Sequence, residues 1–283
     1  MTYWLNGEFR DDPQAINIAD RGFLLGDGLF ETLLLDRAAP VFLERHLKRL
    51  RASSAALKIE LQFSDDEIRD ALRVLAVKNS VHQRQASARI TLTRGAGARG
   101  LEMPSITQPT LIITVAPYDP HRKPASLIVS RHARAERSLA ASHKTLNYLD
   151  NVMARDEAIS AGANEAVMLN GTGRIACASA ANIFLVTADK SIRTPSLEEG
   201  ALAGVARSVL LECSGNTGVS IVETQIERHE LKHAQLFLSN SLFGLRPALM
   251  KGGSHTLDPA FCEIMKRLQS CYSDAVERDL NGG

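Results

Sequence analysis

One lysine of the sequence is placed where chemistry is possible. Lys144 lies in Ser-His-Lys-Thr-Leu-Asn-Tyr-Leu, between a predicted strand and a predicted helix. A lysine amine forms Schiff bases with carbonyl groups when its motion is restricted and its pKa is lowered by burial or by a neighbouring cation. A strand-to-helix junction supplies the first condition. Taken alone, Lys144 is more typical of a solvated loop lysine, so other residues have to support the role.

Two further segments are suited to binding a phosphate. In the first, a small-residue loop at positions 200–204 precedes a predicted helix that begins near Val205 and Ala206. Free N–H groups and the helix dipole at such a start attract anions, although an ordinary glycine-containing helix entry has the same composition. In the second, Asn240 and Ser241 follow a predicted strand and offer short hydrogen-bonding side chains.

Cationic side chains are concentrated on one early helix. Arg45, Lys48, Arg49 and Arg51 all lie within seven residues. Most of them are expected to form a solvated face. Because Arg45 and Arg49 are four residues apart, one of them is able to turn inward to a phosphate while the others stay in water.

Two glycine-rich segments fit no phosphate-loop motif. The first, residues 20–32, has three glycines and two aspartates among its first nine residues, which indicates a tight backbone path but no particular reaction. The second, residues 93–100, resembles an anion-binding loop and contains Arg99. It has neither Walker nor Rossmann spacing.

The elements that position these residues are mixed in type. Apolar, β-rich runs predict strands, and helical spacing predicts helices between them without strict alternation. This pattern predicts an α+β fold with mixed sheets. The predicted strands are Ala88–Leu92, Thr110–Val115, Leu127–Val129, Ala166–Leu169, Asn182–Thr187, Ser220–Val222 and Leu236–Leu238, and the predicted helices cover Phe42–Lys58, a capped segment from Ser64, Leu146–Gly162 and Phe261–Val276.

Composition excludes several classes of protein. The 283 residues carry a formal net charge of +1, which argues against a nucleic-acid-binding role. No apolar stretch approaches the roughly 18 residues that a membrane span needs. The amino terminus has no secretion-signal pattern, which favours the cytoplasm. Four widely separated cysteines without a CxxC pair argue against a metal site and against a disulfide scaffold.

Together, the segments resemble the fold-type IV pyridoxal-phosphate (PLP) enzymes, a family of branched-chain aminotransferases, D-amino acid aminotransferases and aminodeoxychorismate lyases. The resemblance runs from about Leu5 to Pro247, and DRGFLLGDGLFET at positions 20–32 matches the family's amino-terminal signature. It implies a small α/β domain at 1–117, a linker at 118–125 (which includes most of the proline-rich stretch Pro117–Pro124) and a larger PLP-binding domain with a barrel-like mixed sheet at 126–283. It also implies a homodimer.

The resemblance assigns roles to particular residues. Lys144, in HKTLNYLDN, falls on the Schiff-base lysine, and Arg49 falls on the phosphate-binding arginine. Val205 and Ala206 fall where a helix start donates N–H groups to the phosphate. Ser241, preceded by Asn240, falls where a hydroxyl completes the phosphate site.

One position departs from the family pattern. The family has a glutamate five residues before the asparagine of the next strand, where it keeps the pyridine nitrogen protonated. Counting back from Asn182 gives Cys177, and no acid occurs between Glu165 and Asp189. A thiol carries little charge at neutral pH and does not replace a buried carboxylate. A weakened enzyme, a nearly inactive one and an engineered substitution are all compatible with Cys177.

The resemblance leaves the substrate open. Phe30 stands where D-amino acid aminotransferases have a tyrosine, and Leu101 where they have a histidine, so only Arg99 remains of their carboxylate trap. Arg99 is the candidate for the substrate carboxylate, with a loop-stabilising role equally compatible. Glu31 favours aminotransferases, whereas residues 94–100 and 240–247 look more like the lyase. The expected function is amino transfer between an amino acid and a 2-keto acid; the alternatives are the lyase and a PLP-binding protein with little activity.

Overall fold

The computed structural model describes residues 1–12, 16–105, 107–120, 123–253 and 256–282. Contacts between Cα atoms divide the chain into two compact units. The first consists of Met1–Asp119, His143–Asn147 and Asp279–Gly283, and the second of Pro120–Ser142 and Tyr148–Arg278. Each unit has its own β-sheet and its own buried apolar core.

The first unit is built on an antiparallel sheet of six strands in the order β2-β1-β6-β5-β3-β4. The strands are β1 (Tyr3–Leu5), β2 (Glu8–Arg10), β3 (Gly28–Asp36), β4 (Ala39–Pro40), β5 (Gln85–Thr93) and β6 (Thr110–Pro117). The helices are α1 (Arg21–Leu25), α2 (Leu43–Leu57) and α3 (Asp65–Lys78).

The helices of the first unit form because their apolar residues recur at helical spacing. Leu47 and Leu50 of α2 and Leu72 and Leu75 of α3 are buried in one cluster with residues of the sheet. The predicted capping box is confirmed, since the Ser64 hydroxyl accepts the N–H of Glu67. These contacts fix α2, which carries Arg49, against the sheet.

The second unit is built on a mixed sheet of eight strands in the order β12-β11-β10-β13-β14-β7-β8-β9. Its strands are β7 (Ala125–Val129), β8 (Glu165–Leu169), β9 (Ile175–Ala178), β10 (Asn182–Val186), β11 (Ile192–Pro195), β12 (Ile221–Thr224), β13 (Gln235–Asn240) and β14 (Gly244–Met250). Its helices are α4 (Leu139–Ser142), α5 (Leu149–Ser160), α6 (Val205–Thr217) and α7 (Pro259–Leu280), whose last residues belong to the first unit, with 3₁₀ turns at Leu197–Glu199 and Arg228–Lys232.

The predicted α+β class with mixed sheets is confirmed, and each predicted strand coincides with a strand of the structure. The prediction missed seven strands: β1, β2, β3, β4, β9, β11 and β14. Five of them have four residues or fewer, which is too short for a β-rich run to stand out in the sequence. Of the other two, β3 begins inside the glycine-rich segment 20–32 and β14 contains a proline.

The segment around Lys144 belongs to the first unit, whereas the sequence placed it in a domain at 126–283. Its backbone continues the sheet beside β3: the N–H of Phe30 donates to the Lys144 carbonyl (2.9 Å), and the N–H of Leu146 donates to the carbonyl of Gly28 (2.9 Å). The chain leaves the first unit after Asp119, inside the predicted linker. Residues 121 and 122 of that linker lie outside the described residues, and the domain limits stay a prediction.

The helix α5 begins at Leu149, three residues after the predicted start. Its apolar residues Leu149, Val152 and Met153 are exposed. The helix is buried through Asn151, Ala154 and other small residues instead. Small side chains allow the helix backbone to approach the sheet closely, which leaves the larger apolar side chains on the opposite surface.

The structure contains a disulfide that the spacing of the cysteines did not predict. Cys213 of α6 and Cys271 of α7 are bonded, with their Cα atoms 6.0 Å apart. The sequence separation of 58 between them gives no local spacing signal, so the pairing depends on how the helices pack. No helix in the described ranges has the length and apolar character needed to cross a bilayer.

Candidate active site

Lys144 is fixed by its backbone and by an aromatic ring. The strand-like pairing with β3 holds its main chain, and its Nζ lies 4.1 Å from the centroid of the Phe30 ring. Arg89 of β5 also contacts that ring, with Cζ 3.8 Å from the centroid. A cation near an aromatic face is stabilised by the ring quadrupole. Lys144 therefore has the restricted position that its sequence context predicts.

A buried charge cluster occupies the neighbouring positions of β3 and α2. The Glu31 carboxylate, 1% exposed, accepts hydrogen bonds from Arg49 Nε (2.8 Å) and Arg49 Nη2 (2.5 Å). It also contacts Nδ1 of His46 at 2.7 Å. Burial by itself would raise the pKa of Glu31, but the Arg49 charge and these hydrogen bonds lower it to about 2.

His46 is held neutral within this cluster. Burial lowers its pKa, against the opposing effect of Glu31, and the charges of Arg49 and Lys144 lower it further. A neutral histidine donates from Nδ1 to a carboxylate and leaves Nε2 as an acceptor. The Nε2 atom is buried and has no hydrogen-bond partner among the described residues.

The glycine-rich segment at 20–32 organises the loop that carries Arg99. Arg21 donates to Asp27 Oδ2 (2.8 Å), to the carbonyls of Gly100 (3.2 Å) and Glu102 (3.1 Å), and more weakly to the carbonyl of Leu101 (3.4 Å). Arg99 itself is exposed. The segment therefore supports a loop rather than supplying a reactive group.

In the second unit, the start of α6 has the properties of an anion site. The N-cap residue is Gly204, which has no side chain that could cap the helix. Val205 and Ala206 are buried in the first turn. The first N–H groups of a helix have no acceptor within the helix. An anion near this start would satisfy them.

The strand β13 and the turn after it add polar groups. The Ser239 hydroxyl is fully buried and has no hydrogen-bond partner among the described residues. The Asn240 side chain is engaged, since Oδ1 accepts the N–H groups of Leu242 and Phe243 and Nδ2 donates to the Ala180 carbonyl. Asn240 thus shapes the turn that presents Ser241. An unpartnered buried hydroxyl and an uncapped helix fit an anionic group such as a phosphate.

Cys177 lies in β9, paired with Met168 of β8, and is almost fully buried. Burial raises the pKa of its thiol to about 11; the charge of Arg134 lowers it, and that of Glu165 raises it further. Cys177 is therefore neutral at physiological pH. The nearby carboxylate of Glu165 is held by the backbone N–H groups of Ala166 and Ser179 and by Arg155.

The structure brings the predicted residues together in two groups. Lys144, Phe30 and Arg49 lie in the first unit, and Cys177, Val205, Ala206, Asn240 and Ser241 lie in the second. Sequence reasoning missed His46, which shares a face of α2 with Arg49 because it is three residues away. It also missed Ser239 and Arg134. No group of histidine, cysteine or acidic residues suited to a metal occurs in the described ranges.

Comparison with known proteins identifies the family. The family model described as Amino-transferase class IV matches residues 28–249, so the chain belongs to the class IV aminotransferases. The fold is that of the fold-type IV PLP enzymes, and the family's members include PLP-dependent transaminases and a lyase.

Individual relatives differ in their reactions. The chain is 30% identical to a putative branched-chain-amino-acid aminotransferase from Methanocaldococcus jannaschii over 97% of this chain and 96% of that protein. It is 28% identical to the aminodeoxychorismate lyase of Bacillus subtilis, over 86% and 84%. The structure of a hypothetical aminotransferase from Mycobacterium tuberculosis, in its PLP-bound form, superposes with a TM-score of 0.85 at 20% identity, covering 99% and 100%.

Proposed function

We propose that the chain is a PLP-dependent aminotransferase that moves an amino group between an amino acid and a 2-keto acid, with Lys144 as the Schiff-base residue. The observation that carries the proposal is the placement of Lys144. Its backbone pairs with β3 and its amine lies against Phe30, next to the buried Glu31–His46–Arg49 cluster. A restrained amine next to a fixed charge cluster is what covalent catalysis by lysine requires.

Different residues of the chain have different roles in the proposed reaction. PLP, when bound, supplies the aldehyde and the electron-withdrawing ring. Arg49, the amides of Val205 and Ala206, and the hydroxyl of Ser241 would hold its phosphate. The Lys144 amine would take the proton from the substrate Cα as a base and would deliver it to the cofactor's aldehyde carbon as an acid.

Replacing Lys144 with alanine tests the attachment directly. Reduction of the purified protein with borohydride should leave a pyridoxyl group on the Lys144 peptide, which mass spectrometry would detect. Lys144→Ala should lose this adduct and the visible absorption of the imine. The matched control is Lys78→Ala, since the Lys78 amine also lies near an aromatic ring, that of Phe9 at 5.6 Å. An adduct that persists in Lys144→Ala would exclude Lys144 from the role.

We further propose that Cys177 weakens this activity, because the resemblance places it beside the pyridine nitrogen. Its neutral thiol supplies no negative charge there. Cys177→Glu should speed the half-reaction of bound PLP with amino donors, whereas Cys177→Gln should not. Equal rates in the two variants would show that the missing acid does not limit the protein, and an inert wild-type protein that still binds PLP would mark it as a PLP-binding protein without transaminase activity.

For the substrate, we propose Arg99 as the carboxylate-binding residue and Phe30 as part of the wall of the substrate site. Support comes from the exposed position of Arg99 on a loop anchored by Arg21. The incomplete D-amino acid trap leaves D-amino and branched-chain donors to be compared by assay. Arg99→Met should raise KM for the 2-keto acid and leave kcat nearly unchanged if Arg99 contributes binding alone.

The alternative is an aminodeoxychorismate lyase, which releases pyruvate and 4-aminobenzoate. It is favoured by the 28% identity to the Bacillus subtilis lyase over most of both chains. Residues 94–100 and 240–247 also resemble the lyase. One assay separates the two functions: turnover of amino donors with 2-oxoglutarate or pyruvate supports the transferase, and formation of aminobenzoate from aminodeoxychorismate supports the lyase.

We also propose that the protein is a cytoplasmic homodimer. Support for a dimer comes from an apolar surface of α1 and the loop bonded to Arg21, where Phe23 is 76% exposed and Leu101 82% exposed. A surface of this kind is typical of subunit contacts. Sedimentation should show a dimer that Phe23→Asp with Leu101→Asp dissociates. The control Val77→Asp changes an exposed apolar residue of α3 and should leave the dimer intact; a monomeric wild-type protein would contradict the proposal.

A further inference from the structure

A buried arginine of the second unit has no carboxylate partner. Arg134 is 6% exposed. Its Nε donates to the Gly200 carbonyl (3.2 Å), Nη1 donates to Asn151 Oδ1 (3.1 Å), and Nη2 donates to the carbonyls of Ala140 (3.3 Å) and Ala141 (3.2 Å). All four acceptors are neutral. Within the described ranges, Arg134 forms no ion pair, so no carboxylate contacts its buried positive charge.

The carboxylates in the vicinity are committed to other groups. Glu165 binds backbone N–H groups of its own sheet and pairs with Arg155. Glu199 is bonded to Asn170 and pairs with Arg174. Neither is available to neutralise Arg134. Burying a charge without a partner is unfavourable, so an acid would be expected to contact Arg134.

Cys177 lies close to this charge, because Asn151, which accepts the hydrogen bond from Arg134, itself donates to the carbonyl of Ser179, two residues after Cys177. The charge of Arg134 acts on the Cys177 thiol, which is nevertheless neutral at physiological pH because of its burial. The thiol therefore offers neither a counter-charge to Arg134 nor a proton-holding acid to a ligand. A basic nitrogen placed here would face the charge of Arg134, and a nearby cation disfavours protonation of such a nitrogen.

We propose that Arg134 and the neutral Cys177 thiol together hold the ring nitrogen of bound PLP in its unprotonated form. This inference rests on the proposed function, which places Cys177 beside that nitrogen. Arg134 acts here as an electrostatic group that sets the state of the ring rather than as a residue that touches the substrate. An unprotonated ring withdraws electrons less strongly, so removal of the Cα proton from the substrate should be slow.

The protonation state of the ring is measurable without any turnover. PLP labelled with ¹⁵N at the ring is bound to the purified protein, and its nitrogen resonance is recorded by NMR at neutral pH. The wild-type protein should show the resonance of an unprotonated pyridine. Cys177→Glu should shift it upfield to the position of a pyridinium. The matched neutral variant Cys177→Gln should keep the wild-type position.

A second measurement examines the charge of Arg134 in the cofactor-free protein. Cys177→Glu should unfold at a higher temperature than Cys177→Gln, because the new carboxylate pairs with Arg134. In an Arg134→Met background the order should reverse, since the carboxylate is then buried alone. If the Arg134→Met proteins do not fold, the resonance of the unsubstituted protein still decides the question.

The outcomes separate the two proposals. A pyridinium resonance in the wild-type protein overturns the inference about Arg134 while leaving the proposed aminotransferase function in place. Failure of the wild-type protein to attach PLP through Lys144 overturns both. An unprotonated ring in the wild-type protein that becomes protonated in Cys177→Glu supports the inference.

Discussion

The two units of the molecule treat buried charge in opposite ways. In the first, Arg49 forms two hydrogen bonds with the Glu31 carboxylate, and His46 completes the cluster. In the second, Arg134 is bonded only to neutral oxygens, and the adjacent Cys177 is a neutral thiol. Both guanidinium groups are largely buried, so the difference lies in their partners.

This difference gives the two regions different electrostatic properties. A carboxylate with two buried partners fixes the position of Arg49 and the protonation of His46, close to Lys144. The guanidinium of Arg134 is held in position by four hydrogen bonds, but no anion neutralises its positive charge. Buried charges are therefore paired in the region around Lys144, whereas the buried charge near Cys177 is not.

The largest expected effect comes from removing the carboxylate of the paired cluster. Glu31→Gln leaves the Arg49 charge buried without a counter-ion, and breaking one side of a buried pair costs about 3 to 5 kcal/mol. Urea unfolding of the cofactor-free protein would measure this loss. Glu44→Gln is the control, because its side chain is exposed on the same helix. A loss of less than about 1 kcal/mol would mean that the cluster contributes as little as a surface pair.

Acid should weaken the paired cluster over a defined range. The pKa of Glu31 is about 2 in the folded protein and near its ordinary value of 4.5 in the unfolded chain. Its stabilising contribution is thus complete above pH 4.5 and is lost as the pH falls towards 2, and it amounts to about 3 kcal/mol. The free energy of unfolding of wild-type protein should fall over this range more steeply than that of Glu31→Gln. Parallel curves would contradict the assignment.

The sequence predicted much of the fold because many elements have strong local signals. The capping box at Ser64, the apolar spacing of α2 and the β-rich strands are all properties of short segments. It assigned roles to Lys144, Arg49 and Val205 through their order along the chain, and these roles stay predictions. Each residue alone is compatible with an ordinary structural role, so only their combination indicates phosphate and imine chemistry.

The rest depended on contacts between distant segments. His46 carries no signal as a lone histidine, and its importance follows from its contact with Glu31, 15 residues away. Arg134 lies in no recognisable motif. That its partners are neutral oxygens is known only because the fold brings Gly200 and Asn151, which are distant in sequence, into contact with it. The exposure of the apolar face of α5 also could not be predicted, because an apolar stripe has the same sequence pattern whether it is buried or exposed.

Removing the guanidinium of Arg49 should lower the stability of the protein more than removing that of Arg134. Arg49→Met leaves Glu31 as a buried carboxylate without its main counter-charge, whereas Arg134→Met removes a charge that had no partner. In the cofactor-free protein, Arg49→Met should therefore be more destabilising, by about 2 kcal/mol, than Arg134→Met. Thermal and urea unfolding under identical conditions would measure the difference. Equal losses would indicate that an anion compensates Arg134 in solution.

The smallest expected effect concerns the unpartnered hydroxyl of Ser239. If it faces the cofactor phosphate, Ser239→Ala should leave the cofactor-free stability within about 0.5 kcal/mol of the wild type, because no protein hydrogen bond is lost. The affinity for PLP should fall by up to about tenfold, the value of one hydrogen bond. Ser179→Ala should behave in the opposite way, since the Ser179 hydroxyl is bonded to Glu165 and its loss should lower stability without a comparable effect on affinity. If both variants lost stability and kept their affinity for PLP, the buried hydroxyls of Ser239 and Ser179 would serve the fold alone. The contrast with the paired cluster of the first unit would then be limited to Arg134.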